Sequence, residues 1–337
     1  MEFDVIQRRV ERQAGFPYPQ LTNSRYFERY YMTNYSEYIH DVKVSLRSIR
    51  KSNHYEAGKF ICKAQHYTRE HLLTLAARYM TDKKYKEGLD ALYSVSRITQ
   101  YFLEMFCQGY PIYIEFTEPG NWEYVLFSLI TQDYRLINSI NEYWSLLAVH
   151  SQWSEFGEWN TVNSDITSLY ARVPLHLCYA AKALSLLISK RVNEANEYLT
   201  SLPPRPKCTP SIYKHVCMSL EAIASYNKQA LSDAIRSFNR SWKHTPIGGC
   251  DFVNYYGAGL ICLAQYVWNE ELDLASPLIP DEIIRAHPPY TEFPLPHEFF
   301  EIPPEKDIVK WEKTGIKKQK WLERFIHSLF TLNKPDD

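Results

Sequence analysis

Residues 211–242 read SIYKHVCMSLEAIASYNKQALSDAIRSFNRSW, and their apolar spacing decides the fold class. Ile212, Val216, Leu220 and Ile223 recur at intervals of three and four, which places them on one stripe of a helix. Leu231, Ala234, Ile235, Phe238 and Trp242 form a second stripe of the same period. The polar residues Asn227 to Gln229 between them are too few for anything but a tight turn. Two amphipathic helices on a short connection pack antiparallel and bury their stripes against each other.

The same arrangement recurs outward from this unit. KYKEGLDALYSVSRI follows an apolar helix ending near Met80, DYRLINSINEYW follows VLFSLIT, and RVNEANEYLTSL follows AAKALSLLISK. The first apolar residues of the second helices, Tyr85, Leu136, Val192 and Leu231, are 51, 56 and 39 residues apart. A regular solenoid keeps an even period. The reading is therefore an all-α chain built as an irregular stack of antiparallel helical pairs, tetratricopeptide- or HEAT-like, or a large helical domain whose pairs reflect packing alone.

Residues 24–50 and 54–80 predict two long helices, the first rich in tyrosine (Tyr26, Tyr30, Tyr31, Tyr35, Tyr38), and YPIYIEF (110–116) offers the one plausible strand or extended linker. The whole reads as a single domain. Residues 1–54 form an N-terminal helical region, 55–287 the body of pairs and 288–305 a Pro-rich extended segment. Residues 306–333 form a basic amphipathic helix whose Ile308, Trp311, Ile316, Trp321, Phe325 and Leu329 dock onto the body.

Composition narrows the function. The 38 Lys and Arg are balanced by 39 Asp and Glu, so the global positive field that nucleic-acid binding relies on is absent. The first residues, MEFDVIQRRVERQAGF, hold no apolar signal region, and no apolar run is long enough to cross a bilayer. A cytoplasmic protein with no membrane and no nucleic-acid partner is expected. The seven cysteines are odd in number, and most sit in apolar runs such as LHLCYA and LICLA, as packed, reduced thiols do.

Chemical motifs give little support to catalysis. GGCDFVNYYGAGLICLAQYV (248–267) is glycine-rich, but no strand precedes it and no Gly-Lys-Ser/Thr follows, so a phosphate cradle is not expected. Its glycines read as packing: Gly248 and Gly249 end one helix, Asp251 caps the next, and Gly257, Ala258 and Ala264 let another helix approach closely. Cys250 with His244 lacks an orienting partner for a thiol nucleophile. His66 and His71 are five apart, off the spacing that stacks side chains. HEFFE (297–301) lies among prolines that favour an extended surface segment over the helix that would align two metal ligands. No cofactor, metal or catalytic residue is expected.

What remains is a composition suited to contact. HSQWSEFGEWNTVNSD (150–165) places Trp153, Phe156 and Trp159 among Glu155, Glu158 and Asp165, in a stretch too polar and irregular for a core helix. Indoles beside carboxylates suit a protein interface, or fold back as lids over neighbouring helices. Glu115, Glu118 and Trp122 make a second patch of the same kind, and Glu292, Glu298 and Glu301 a third in the Pro-rich segment.

Two stretches, PGNWEYVLFSLITQDYRLINSI (119–140) and NYYGAGLICLAQYVWNEELDLASPLIPDEII (254–284), resemble the immunity protein 49 family of bacterial polymorphic toxin systems. The likeness is one of pattern: an Asn-Trp start leading an apolar helix into a polar turn, then a small-residue helix, an acidic link and a proline-bearing SPLIP. It spans roughly residues 55–290. The resemblance implies an all-helical protein that binds a cognate toxin domain and blocks it, and it transfers no catalytic residue. The rivals are a helical-repeat scaffold that takes a peptide in a concave groove, and an enzyme whose site carries no known motif.

Overall fold

The computed structural model describes residues 35–52, 54–107, 122–148, 152–153, 159–160, 175–202, 211–242 and 253–300. Of the described residues 78% are helical, in packed pairs, so the protein is all-α. The expected strand at 110–116 and the basic helix at 306–333 lie outside the described residues, as do Tyr26, Tyr30 and Tyr31.

Helix α1 (Tyr35–Ser52) packs on α2 (His54–Thr81), which pairs with α3 (Tyr85–Cys107). Helix α4 (Trp122–Ser128), prolonged by a 3-10 turn over Leu129–Thr131, pairs with α5 (Tyr134–Ala148). Helix α6 (Leu175–Ile188) pairs with α7 (Val192–Ser201), and α8 (Ser211–Ala224) with α9 (Lys228–Trp242). Contacts from α3 to α5, from α5 to α6 and from α6 to α8 join the pairs into one stack. The stripes of α8 and α9 named above are all buried.

One turn is used four times. Lys83, Gln132, Lys190 and Tyr226 each have φ between 49° and 59°, the left-handed region. Each donates its N–H to the carbonyl three residues back: Met80 at 3.1 Å, Leu129 at 3.1 Å, Leu187 at 2.9 Å and Ile223 at 3.2 Å. In three of the four the next N–H reaches five residues back, from Lys84 to Tyr79, Arg191 to Leu186 and Asn227 to Ala222, which completes a Schellman cap. The second helix then starts two residues past the left-handed one, at Tyr85, Tyr134, Val192 and Lys228. Its first bond runs from the fifth residue past the left-handed one, Gly88, Ile137, Ala195 or Leu231, to the carbonyl of the first. All four of these residues are buried.

The turn before α9 is shorter than expected, because Asn227 caps α9 by accepting from Ala230 N at 2.9 Å, which draws Lys228 and Gln229 into the helix. The left-handed residues lie 49, 58 and 36 residues apart, so the stack repeats its turn without repeating its length.

Helix α10 (Tyr255–Trp268) crosses the first helices of all four pairs. Tyr255 donates to Leu73 O of α2, Phe127 of α4 packs on Tyr255 and Tyr256, α6 touches its flank, and Trp268 Nε1 donates to Ile223 O of α8 at 3.0 Å. Residues 255–264 are buried without exception. Its cap is Asn254, which accepts from Gly257 N at 2.8 Å, and not Asp251 as the sequence suggests. Burial decides this: Asn254 is fully buried and also donates to Asn239 at 2.8 Å, so its amide holds the entry to the helix from both sides. The close approach expected at Gly257, Ala258 and Ala264 is tightest at Gly259, where a Cβ would meet Leu126 O at 2.5 Å.

A short helix α11 (Asp281–Ile284) leads into a strap, residues 286–300, that ends in a 3-10 turn over His297–Phe300. This segment was expected to be extended surface chain. It is extended as far as Pro296, but Phe299 is fully buried, and the HEFF residues form that one turn instead of extended chain, closed by Phe299 N donating to Pro296 O at 3.0 Å. Among the described residues no helix is long and apolar enough to cross a membrane.

Candidate functional site

Two of the sequence-predicted interface residues are brought together by the backbone. Strands β1 (Gln152–Trp153) and β2 (Trp159–Asn160) pair antiparallel, with Gln152 opposite Asn160 and Trp153 opposite Trp159. Glu155, Phe156 and Glu158 fall in sequence between these strands and lie outside the described residues, as do Glu115 and Glu118. The hairpin stands in the connection between α5 and α6, where 26 residues separate Ala148 from Leu175. Helix–helix connections usually take two to eight residues, so this one is an insertion. This insertion accounts for the longest interval of the stack. Between Arg135 and Arg172 the chain carries no lysine or arginine, while Glu142, Glu155, Glu158 and Asp165 supply four carboxylates.

Trp122 does not belong to such a surface. It is 1% exposed and packs between Tyr213 of α8 and Tyr256 of α10, with ring centroids at 6.0 and 5.8 Å. The acidic, Pro-Gly context before it suggested a loop, but Trp122 opens α4, and the first turn of that helix faces the centre of the stack. Its neighbour Glu123 is the residue that reaches partial exposure.

Around Glu123 the structure assembles a polar cluster that the sequence did not reveal. Glu70 of α2 accepts a hydrogen bond from the Tyr124 hydroxyl, and Glu123 is hydrogen-bonded to Tyr256. The Arg69 guanidinium, fully buried, lies over the Tyr124 and Phe102 rings at 3.9 and 4.8 Å, a cation–π arrangement inside the core. Burial pushes the Glu123 carboxyl up to about 7; the Tyr256 hydrogen bond opposes this and the Glu70 charge adds to it. Burial, then the charge of Glu70, holds the Tyr124 hydroxyl well above its ordinary range. Tyr213 is raised to about 12 by burial and by Glu123, and His66 is lowered to about 4 by burial and by Arg69. These groups come from α2, α4, α8 and α10, and Glu70 and Tyr124, which bond α2 to α4, are 54 residues apart in the chain. Only Arg69 and Glu70 side by side, just before the apolar Leu72, Leu73, Ala76 and Ala77 of α2, could have signalled a buried partner.

The arrangement ties α4 to α10 through Glu123 and Tyr256, and α4 to α2 through Tyr124 and Glu70. Cys262 is buried, its thiol raised to about 12 by that burial, and Cys217 is likewise buried. Cys250 and His244 lie outside the described residues. His71 stacks on Tyr38 with ring centroids at 5.0 Å and meets Tyr35 edge-on at 5.3 Å, a packed core histidine. Among the described residues no group of three or more His, Cys, Asp or Glu is placed to hold a metal ion. Comparison with protein-family models, with curated proteins and with solved structures finds no match for the chain.

Proposed function

We propose that this chain is a non-catalytic binding protein, an immunity protein that engages a cognate toxin domain in the cytoplasm and neutralises it by direct contact. The observation that carries the reading is the ladder that sets Trp153 opposite Trp159 in an acidic insertion between the second and third helical pairs. The stack carries a hairpin whose backbone pairing sets two tryptophans opposite each other, and the carboxylates between them in sequence complement the basic cleft of a toxin that acts on nucleic acid or nucleotides. Acids steer the encounter and indoles hold the complex. The rival scaffold reading needs an open face along the first helices, and α10 covers α4, α6 and α8 there.

The test is co-expression with the toxin encoded beside this chain, followed by titration calorimetry of the purified pair. Trp159→Ala is expected to weaken binding by about 2–4 kcal/mol, roughly thirtyfold or more. Glu155→Lys is expected to slow association and flatten its salt dependence. Both variants must still melt cooperatively, and wild-type affinity in both would place the interface elsewhere.

A further inference from the structure

The strap is held in a manner that differs from ordinary core packing. Along α3, Asp90, Ser94, Arg97 and Tyr101 fall at i, i+4, i+7 and i+11, a single helical stripe. Three of its four members are polar groups other than the tyrosine, on a helix whose Leu92, Val95, Ile98 and Phe102 form the core. The strap runs along this stripe. Thr291 N donates to Asp90 Oδ1 and Phe293 N donates to Ser94 Oγ, both at 2.8 Å. Between them Glu292 pairs with Arg97 at 2.9 Å, and further on Phe300 meets Tyr101 edge-on.

The spacings match for a geometric reason. Four residues of helix rise about 6 Å, and two residues of extended chain advance about 6.6 Å. Acceptors at i and i+4 on a helix therefore meet alternate N–H groups of an extended peptide. These bonds recognise backbone, which any sequence carries. Selection comes from the pads beside them: Tyr290 on Tyr93, Phe293 between Tyr35 and Tyr79, and Arg97 for an intervening carboxylate. Tyr35 and Gln65 complete the track by donating to Pro294 O at 3.1 Å and Phe299 O at 2.9 Å.

We propose that the α1–α2–α3 face is a peptide-binding site for an extended segment of the pattern aromatic-x-acid-aromatic-proline, and that residues 290–300 are its resident occupant, which a partner segment of that chemistry displaces. This site is independent of the toxin reading, since it lies on other residues and takes another ligand class. Main-chain hydrogen bonds supply affinity and side-chain pads supply choice, the division of labour found wherever extended peptides are bound.

The probe is a fluorescent synthetic peptide of residues 286–300, AHPPYTEFPLPHEFF, titrated by anisotropy into the full chain. The Tyr290→Ala/Phe293→Ala variant, whose strap has lost its pads while the groove is untouched, is expected to bind it. The native chain is expected to bind at least about tenfold more weakly, because its own strap competes at an effective concentration on the order of millimolar. Adding Asp90→Ala and Ser94→Ala is expected to cost about tenfold or more. Should Tyr290→Ala/Phe293→Ala fail to melt cooperatively, Glu292→Arg, which loosens the strap by repulsion from Arg97 alone, takes its place. An Arg97→Glu change is expected to weaken the peptide and a Glu292→Lys peptide to restore it. A folded, strap-weakened chain that leaves the peptide free, or binding indifferent to Asp90, Ser94 and the charge swap, would overturn the proposal.

Discussion

Helix α10 and the strap both close a face of the same stack, and they do so by opposite means. Helix α10 is held by shape: residues 255–264 are all buried, and Gly259 lets the Leu126 carbonyl come within 2.5 Å of where a Cβ would stand. The strap is held, apart from the buried Phe299 at its end, by separate points: two backbone donors, side-chain donors from Tyr35 and Gln65 to its carbonyls, one ion pair and a row of ring contacts, with Thr291 and Glu292 still exposed. A shape-held element has no partial states, because interiors are close-packed and every neighbour feels a shift. A point-held element can release one contact at a time. The first is suited to permanence and the second to exchange.

The largest expected effect breaks the fit of α10. Gly259→Val places a branched carbon against a backbone oxygen that cannot rotate away, and overpacking of this kind costs about 3 kcal/mol, well above the few tenths gained in helix propensity. A fall of that size in the unfolding free energy from urea melts is the expected readout. Gly88→Ala is the control. There the added carbon meets Met80 Cγ at 2.7 Å, in a buried side chain that must shift, and Ala76 O at 3.2 Å. A thioether side chain repacks where a backbone oxygen cannot, so the loss is expected to be smaller than that of Gly259→Val, about 1 kcal/mol. Equal losses at both glycines would mean that α10 is no more tightly fitted than an ordinary helical pair.

The next effect concerns the polar tie that joins α4 to α10. Glu123 has a folded-state pKa of about 7, above the 4.5 of a free carboxyl. The folded state therefore binds more protons than the unfolded one across that window, and stability falls as pH rises from about 4.5 to 7. His66 and His71, both lowered to about 4, act in the opposite direction, since the unfolded state binds their protons first and stability rises with pH up to about 6.5. Glu123→Gln separates the two. It keeps an amide for Tyr256 and removes the charge, so it is expected to match wild type near pH 4.5 and exceed it at pH 8 by on the order of 2 kcal/mol. Parallel stability curves for the two proteins between pH 4.5 and 8 would show that Glu123 is freely solvated.

The difference between the two elements also explains what could be read in advance. The stripes of α8 and α9 were legible because burial on one side of a helix imposes a 3.6-residue period on the apolar residues themselves. Helix α10 has no such period, being apolar all round, and its sequence told of small residues without telling which neighbour they admit. The place of Trp122 was misread for a related reason: the residues before it are acidic and helix-breaking, and nothing local says that the chain turns inward at the next step. The Asp90, Ser94, Arg97 and Tyr101 stripe was in plain view, but a polar stripe on a helix reads as a solvated face until the strap is seen lying along it. The pairing of Trp153 with Trp159 was not legible, because it depends on backbone bonds that composition does not encode.

The smallest expected effect lies on the strap. Arg97 and Glu292 have side chains 36% and 42% exposed, so water and salt screen their attraction, and exposed pairs of this kind contribute about 0.2–1 kcal/mol. Arg97 keeps a second partner, Gln100, at 2.6 Å, so losing Glu292 does not leave the guanidinium unsatisfied. Arg97→Ala is expected to lower the melting temperature by only about 1–2 °C, and raising the salt to about 1 M, where the screening length falls to about 3 Å, is expected to erase that difference. The same substitution should still weaken the strap locally, seen as faster proteolysis after the strap residues with the body intact, because a point-held element opens without global unfolding. A loss as large as that of Gly259→Val, or one indifferent to salt, would show that the ion pair belongs to the cooperative core and that the strap, like α10, is fixed by shape.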